Sequence, residues 1–123
     1  MREVTDYMVR GANEVIAQDV LALRRASLDL TWKEEFVVVL RGTGVTTVDI
    51  KLGTPEGYSG RRVFIKNGDN STDAITVTAP LVTYDDGTTY QSKIDGANTA
   101  VLNTAYGYLE ILCDGKDFHI INK

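Results

Sequence analysis

From Glu34 onward, apolar residues recur at every second position in short runs, each closed by Gly, Asp, Asn or Pro. A period of two places alternate side chains on opposite faces of an extended chain, so this pattern restricts the segment to strands joined by tight turns. Glu34–Arg41 is apolar on both faces, with Phe36, Val38 and Leu40 on one side and Val37 and Val39 on the other. Such a strand is expected to be buried on both faces. Thr46–Leu52, Arg61–Asn67 and Ala74–Ala79 alternate through Val48, Ile50, Val63, Ile65, Ile75 and Val77. Tyr90–Ile94, Ala100–Leu102, Tyr108–Cys113 and Phe118–Ile121 complete the set. Many short strands at this spacing predict a mainly β chain, folded as an antiparallel β-sandwich or barrel-like domain over residues 34–123.

The last two strands flank Asp114-Gly115, a dipeptide suited to a type I′ turn because both central residues need positive φ. A two-residue turn there sets Ile111 opposite Phe118, Leu109 opposite Ile120 and Glu110 opposite His119. The reverse face then carries Tyr108, Leu112 and Ile121, too apolar for simple solvation. Either another sheet or another subunit covers that face, which makes these three residues candidates for a subunit or partner interface.

Ahead of the β-region the period is helical. Val9, Ile16 and Leu23 recur every seventh residue with Ala12 and Val20 beside them, which predicts an α-helix over residues 3–26. Such a helix is marginal alone and needs something to pack on, either its own β-domain or copies of itself or a partner. Residues 1–30 are therefore expected to be an attachment or oligomerisation segment, with Val9, Ile16, Val20 and Leu23 as its contact stripe.

Composition narrows the chemistry. The 123 residues carry a net charge of −4, which does not suggest a nucleic-acid surface. One cysteine, Cys113, excludes an intramolecular disulfide and a cysteine-rich zinc site. No apolar run is long enough for a membrane-spanning helix, and the N-terminus lacks a signal-peptide core. No phosphate-binding glycine motif is present, so no cofactor is expected.

A single histidine, His119, leaves little for acid–base or nucleophilic catalysis, and no catalytic residue is assigned. A sugar-cleaving enzyme would need two facing carboxylates, for which Asp85 or Asp86 with Glu110 is the available pairing. Asp69, Asn70 and Asp73 share a loop, but their spacing does not match a calcium loop and such residues favour turns for backbone reasons; no metal site is assigned. Tyr58, Tyr84 and Tyr90 lie in or near turns, where tyrosine either caps the end of a sandwich or stacks on a glycan or meets another protein.

The order of the β-elements carries further information. An apolar strand, Phe36–Leu40, precedes an alternating strand leading into a proline loop, Val48–Pro55. Then come Gly60–Asn67, ending in Lys-Asn, and Ala74–Pro80. An Ile94-Asp95-Gly96 turn, a tyrosine-led strand, an Asp-Gly turn and a strand ending in paired isoleucines, Ile120-Ile121, close the series. In this order the chain resembles, over roughly Phe36 to Asn122, a module of bacteriophage virion proteins found in tail fibres, tailspikes and small capsid-attached proteins. Phe118 stands where that module often has Trp, and Asp85–Tyr90 is a longer excursion than the pattern requires.

The resemblance implies a homotrimeric, non-enzymatic structural protein of the virion, made in the host cytoplasm. It implies a capsid decoration or head-fibre protein contacting the major capsid protein. The other reading is a short tail-fibre or adaptor protein that meets tail proteins and host surface glycans. Neither reading implies nucleic-acid binding or membrane insertion.

Overall fold

The computed structural model describes residues 20–123. Eleven strands are formed: β1 (Val20–Leu23), β2 (Ser27–Asp29), β3 (Phe36–Val39), β4 (Val48–Lys51), β5 (Arg62–Asn67), β6 (Ile75–Thr78), β7 (Leu81–Thr83), β8 (Thr89–Gln91), β9 (Thr99–Leu102), β10 (Tyr108–Cys113) and β11 (Phe118–Asn122). Sheet A has the order β1-β3-β5-β10-β11 and sheet B the order β2-β4-β6-β9, while β7 and β8 form a separate hairpin.

The mainly β character matches the sequence expectation; the strand directions do not. β1, β3 and β5 pair in parallel, as do β2, β4 and β6. Only β6–β9, β5–β10, β10–β11 and the β7–β8 hairpin are antiparallel. The sheets are therefore mixed. The chain alternates between sheets, laying one strand in A and the next in B, so that β1–β2, β3–β4 and β5–β6 stack as successive rungs. β9 and β10 form a fourth rung traversed in the opposite direction. Period two reveals which residues face inward, but a parallel and an antiparallel neighbour present the same alternation. This is why direction was not legible.

Val20–Leu23 and Ser27–Asp29 are strands, so residues 20–26 do not continue a helix as expected. Leu23 and Leu28 are buried in the core and Val20 is 63% exposed, which a single helical stripe would not give. In Val20-Leu21-Ala22-Leu23 the helical and strand periods select overlapping residues, and pairing with β3 decides between them. The remainder of the expected helix, including Val9 and Ile16, lies outside the described residues.

Successive corners are tied by main-chain bonds, Gly42 N–H to Arg24 O and Gly68 N–H to Val39 O, each 2.8 Å. A Cβ on Gly68 would lie 2.6 Å from Leu40 Cδ2 and 2.8 Å from Val39 O, so stacking at this corner requires glycine. Arg41 fills the space between corners. Its guanidinium reaches Asn67 Oδ1 at 3.0 Å, Asp69 Oδ2 at 3.1 Å and Asp73 O at 2.8 Å, and it also donates to Thr46 O. Asn67 is completely buried, and its amide donates to Ser71 O and Thr104 O. A buried amide costs stability unless all its groups are paired, and this one binds three corners at once.

The core lies between the sheets, built from Val37, Val39, Val48, Ile50, Val63, Ile65, Ile75, Val77, Leu109 and Ile111. Trp32, on the β2–β3 loop, closes one side. Its ring stacks on Phe118 with centroids 5.5 Å apart and planes 10° apart, and its Nε1–H donates to Gly53 O at 3.1 Å. Trp32 adopts a φ of 68°, a left-handed conformation uncommon for a side chain of this size. The buried indole and its hydrogen bond offset that strain.

The closing hairpin differs in register from the two-residue turn expected. Cys113 pairs with Phe118, Leu112 with His119 and Ile111 with Ile120, and a bulge follows at Glu110. The loop is Asp114–Asp117, in which the Asp114 carboxylate accepts the N–H groups of Lys116 and Asp117 at 2.8 and 2.7 Å. That side chain satisfies two loop donors, and the longer loop is favoured over a tight turn.

Candidate interaction surface

The outer faces of the two sheets differ in chemistry. Sheet B turns Ser27, Asp29, Asp49, Lys51, Thr76, Thr78 and Thr99 outward, with Val101 as its apolar exception. Sheet A turns out Phe36 and Val38 from β3, Phe64 from β5, and Tyr108 and Leu112 from β10, all half-buried. Phe64 lies at the centre. It meets Phe36, its register partner, at 5.7 Å and Tyr108 at 5.0 Å with ring planes 11° apart. The sequence placed Phe36 and Val38 on one face, and in-register pairing of neighbouring strands aligns that face with the aromatics of β5 and β10.

Charges border the ladder. Arg62 and Glu110 approach to 3.6 Å, with side chains 61% and 22% exposed, a pairing of small value in water. Lys66 reaches back to Tyr106 O. A shallow recess lined by Glu35, Phe36, Arg62, Phe64 and Glu110 opens beside the rings. Each aromatic ring taken fully out of water contributes about 1.5–3 kcal/mol, so a partner layer on this face would have a substantial apolar term.

Of the interface residues expected from sequence, Tyr108 and Leu112 lie on this face and Ile121, 45% exposed, lies at its β11 margin. Leu23 belongs to the core instead, and Val20 lies on edge strand β1. Phe36 and Phe64 were not singled out for this surface. Their signal was the two-sided apolar character of β3 and the aromatic in β5.

The three candidate tyrosines are dispersed. Tyr58 packs against the core. The Tyr90 hydroxyl donates to the Asp117 carboxylate, whose oxygens lie at 2.9 and 3.0 Å, and the Lys116 ammonium sits 4.6 Å from its ring centre. That hydrogen bond to a carboxylate raises the phenol pKa. Tyr84, 37% exposed in the β7–β8 turn, keeps an accessible ring.

His119 joins two turns. Its Nε2 is 2.7 Å from Asp114 Oδ2, and its Nδ1 is 3.9 Å from Asp95 Oδ1. The Asp114 carboxylate holds the imidazole pKa above its usual value. The N–H of Asp117, then His119, then the N–H of Lys116 lower the Asp114 carboxyl to about 2. Burial raises the Cys113 thiol. No hydroxyl or thiol stands within hydrogen-bond reach of His119 among the described residues.

The carboxylates considered for glycoside cleavage are separated, since Asp85 and Asp86 line a recess with Glu56 and Tyr84 while Glu110 lies in the aromatic recess. Among the described residues no group of three or more His, Cys, Asp or Glu side chains is arranged to hold a metal ion, and Asp69 is engaged by Arg41. No described helix is long and apolar enough to cross a membrane. Comparison with protein-family models finds no match, and comparison with curated proteins finds no relative.

Proposed function

We propose that this chain is a structural bacteriophage virion protein, a homotrimeric decoration of the capsid shell that acts through the outer face of sheet A. The observation carrying this reading is the Phe36–Phe64–Tyr108 ladder, half-buried on a sheet with no described layer over it. An aromatic centre with charged groups at its border is the composition of a protein–protein contact. The module-like order of strands from Phe36 to Asn122 supplies the virion assignment. Decoration would stabilise the shell by binding across neighbouring capsid subunits in their assembled state.

Sedimentation equilibrium at micromolar concentration tests the assembly, with a trimer expected; a stable monomer overturns it. Copy number in purified particles tests the location, with hundreds of copies expected. A second reading, a short tail-fibre or adaptor protein binding host surface glycans, is favoured by exposed Tyr84 on the β7–β8 turn. It requires on the order of ten copies per particle and a loss of glycan binding in Tyr84→Ala.

A further inference from the structure

Sheet B is one strand shorter than sheet A. β9 and β10 form the last complete rung, and β11 continues sheet A with no described strand of sheet B opposite it. The edge of β11 is occupied, because Phe118 N–H donates to Lys93 O and Asp95 N–H donates to Phe118 O. The edge of β9 is not. Ala79 N–H donates to Asn98 O, which fixes the alternation along the β6–β9 ladder. Ala100 and Leu102 therefore spend their main-chain groups on β6, while those of Thr99 and Val101 turn away from it. They have no partner among the described residues, and neither do those of Asn103.

Proteins blunt free sheet edges with charge, proline, a bulge or a covering segment. β1 runs into Arg24-Arg25 and β2 contains Asp29. β9 and its flank, Thr99-Ala-Val-Leu-Asn103, contain neither charge nor proline, and Val101 is 52% exposed. A groove runs along the end of this strand, lined by Val101, Leu102, Thr104, Tyr108 and Lys123 among others.

We propose that the β9 edge is a strand-addition site for a single extended segment of another protein. The bound segment becomes the fifth strand of sheet B and lies over β11. Main-chain bonds to Thr99 and Val101 hold it, its inward residues are apolar and face half-buried Ile120, and its outward residues are polar beside Thr99 and Val101. A carboxylate on the segment complements Lys123. A second folded copy does not fit this edge, since pairing β9 with β9 about a two-fold axis brings both overhanging β11 strands into the same space.

The test uses the full chain and a displayed library of random nine-residue peptides. Selected peptides are expected to alternate apolar and polar residues. Val101→Pro removes an outward N–H that the β6 ladder does not use, so it should weaken those peptides at least tenfold while leaving Trp32 fluorescence and thermal unfolding unchanged. Phe64→Ser, on the outer face of sheet A, should leave peptide binding unchanged, which separates this site from the proposed trimer contact. Val101→Lys, which keeps the N–H, should weaken binding less than Val101→Pro and shows whether any loss comes from the main chain. Three results overturn the proposal: no alternating peptides, equal binding by Val101→Pro, or slow hydrogen exchange of the Val101 amide in the free protein. The last would show the edge already covered by the chain's own residues or by another copy.

Discussion

Trp32 and Phe118 stack face to face, 5.5 Å between ring centres, joining a loop of the parallel rungs to the final strand of the antiparallel hairpin. The two ends of the described chain thus share one packing unit. Phe118→Ala should destabilise the fold by about 3–5 kcal/mol, the usual cost of emptying a buried aromatic site. Trp32 is the only tryptophan, so denaturant titration of its fluorescence reads this loss directly. The native emission should also shift to the red as water reaches the indole.

Arg41 should resist even its closest replacement. Arg41→Lys keeps the charge but cannot reach Asn67, Asp69 and the Asp73 carbonyl together, because an ammonium lacks the planar fork. A loss of about 1–3 kcal/mol is expected from the unpaired groups left at the corner, measured by urea unfolding. Equal stability of this variant would show that the corners stack without the clasp.

Gly68→Ala should be destabilising although the residue's φ is unremarkable. The added methyl meets the Val39 carbonyl at 2.8 Å, and main chain cannot yield as a side-chain tip can. Overpacking of this kind costs about 1–3 kcal/mol. The same change at Gly44 meets nothing within 4 Å and is opposed only by its φ of 83°. Comparing the two variants by thermal unfolding separates corner contact from backbone strain.

The His119–Asp114 pair gives stability a pH window. His119 has a raised pKa in the folded state, so its contribution is complete below about 6.5 and is lost as pH rises through the folded value. Asp114 is lowered to about 2, so its contribution is complete above about 4 and is lost as pH falls through about 2. Stability from this pair is greatest between about pH 4 and pH 6.5. His119→Gln should flatten the decline above pH 6.5; an unchanged decline would assign it to other groups. Both side chains are about half exposed, so salt should reduce the effect.

Replacing Phe64 by Ser should separate folding from assembly. Its ring lies on the outer face, so the variant should stay folded with a loss of about 1–3 kcal/mol from the two ring contacts, while the apparent mass at micromolar concentration should fall from trimer to monomer. A variant that stays trimeric would move the oligomer contact away from sheet A.

Much of the inward face was legible from alternation alone: Val48, Ile50, Val63, Ile65, Ile75, Val77, Leu109 and Ile111 are all buried where period two puts them. What alternation could not carry was direction, because Val37 between Leu21 and Ile65 looks the same in a parallel or antiparallel ladder. Trp32 carries no such signal, because it lies in a loop between runs, where no periodicity marks it as core. Residues 20–26 misled because Val20 and Leu23 satisfy a helical spacing as readily as a strand. The interaction face was half legible: Tyr108 and Leu112 stood out in the last hairpin, but Phe36 and Phe64 join them only through lateral pairing of strands distant in sequence.

The reversed fourth rung sets a limit on growth. A stack of purely parallel rungs has ends of matching polarity, and copies of it can add head to tail into a filament. Among the described residues one end offers β1 and β2 running with the stack, while the other offers only β9, running against it, because Lys93–Asp95 already pairs with β11. A copy docking end to end would meet one sheet edge already paired and the other reversed in direction. Within the described residues the change of direction thus opposes head-to-tail growth of the stack and leaves association to its faces.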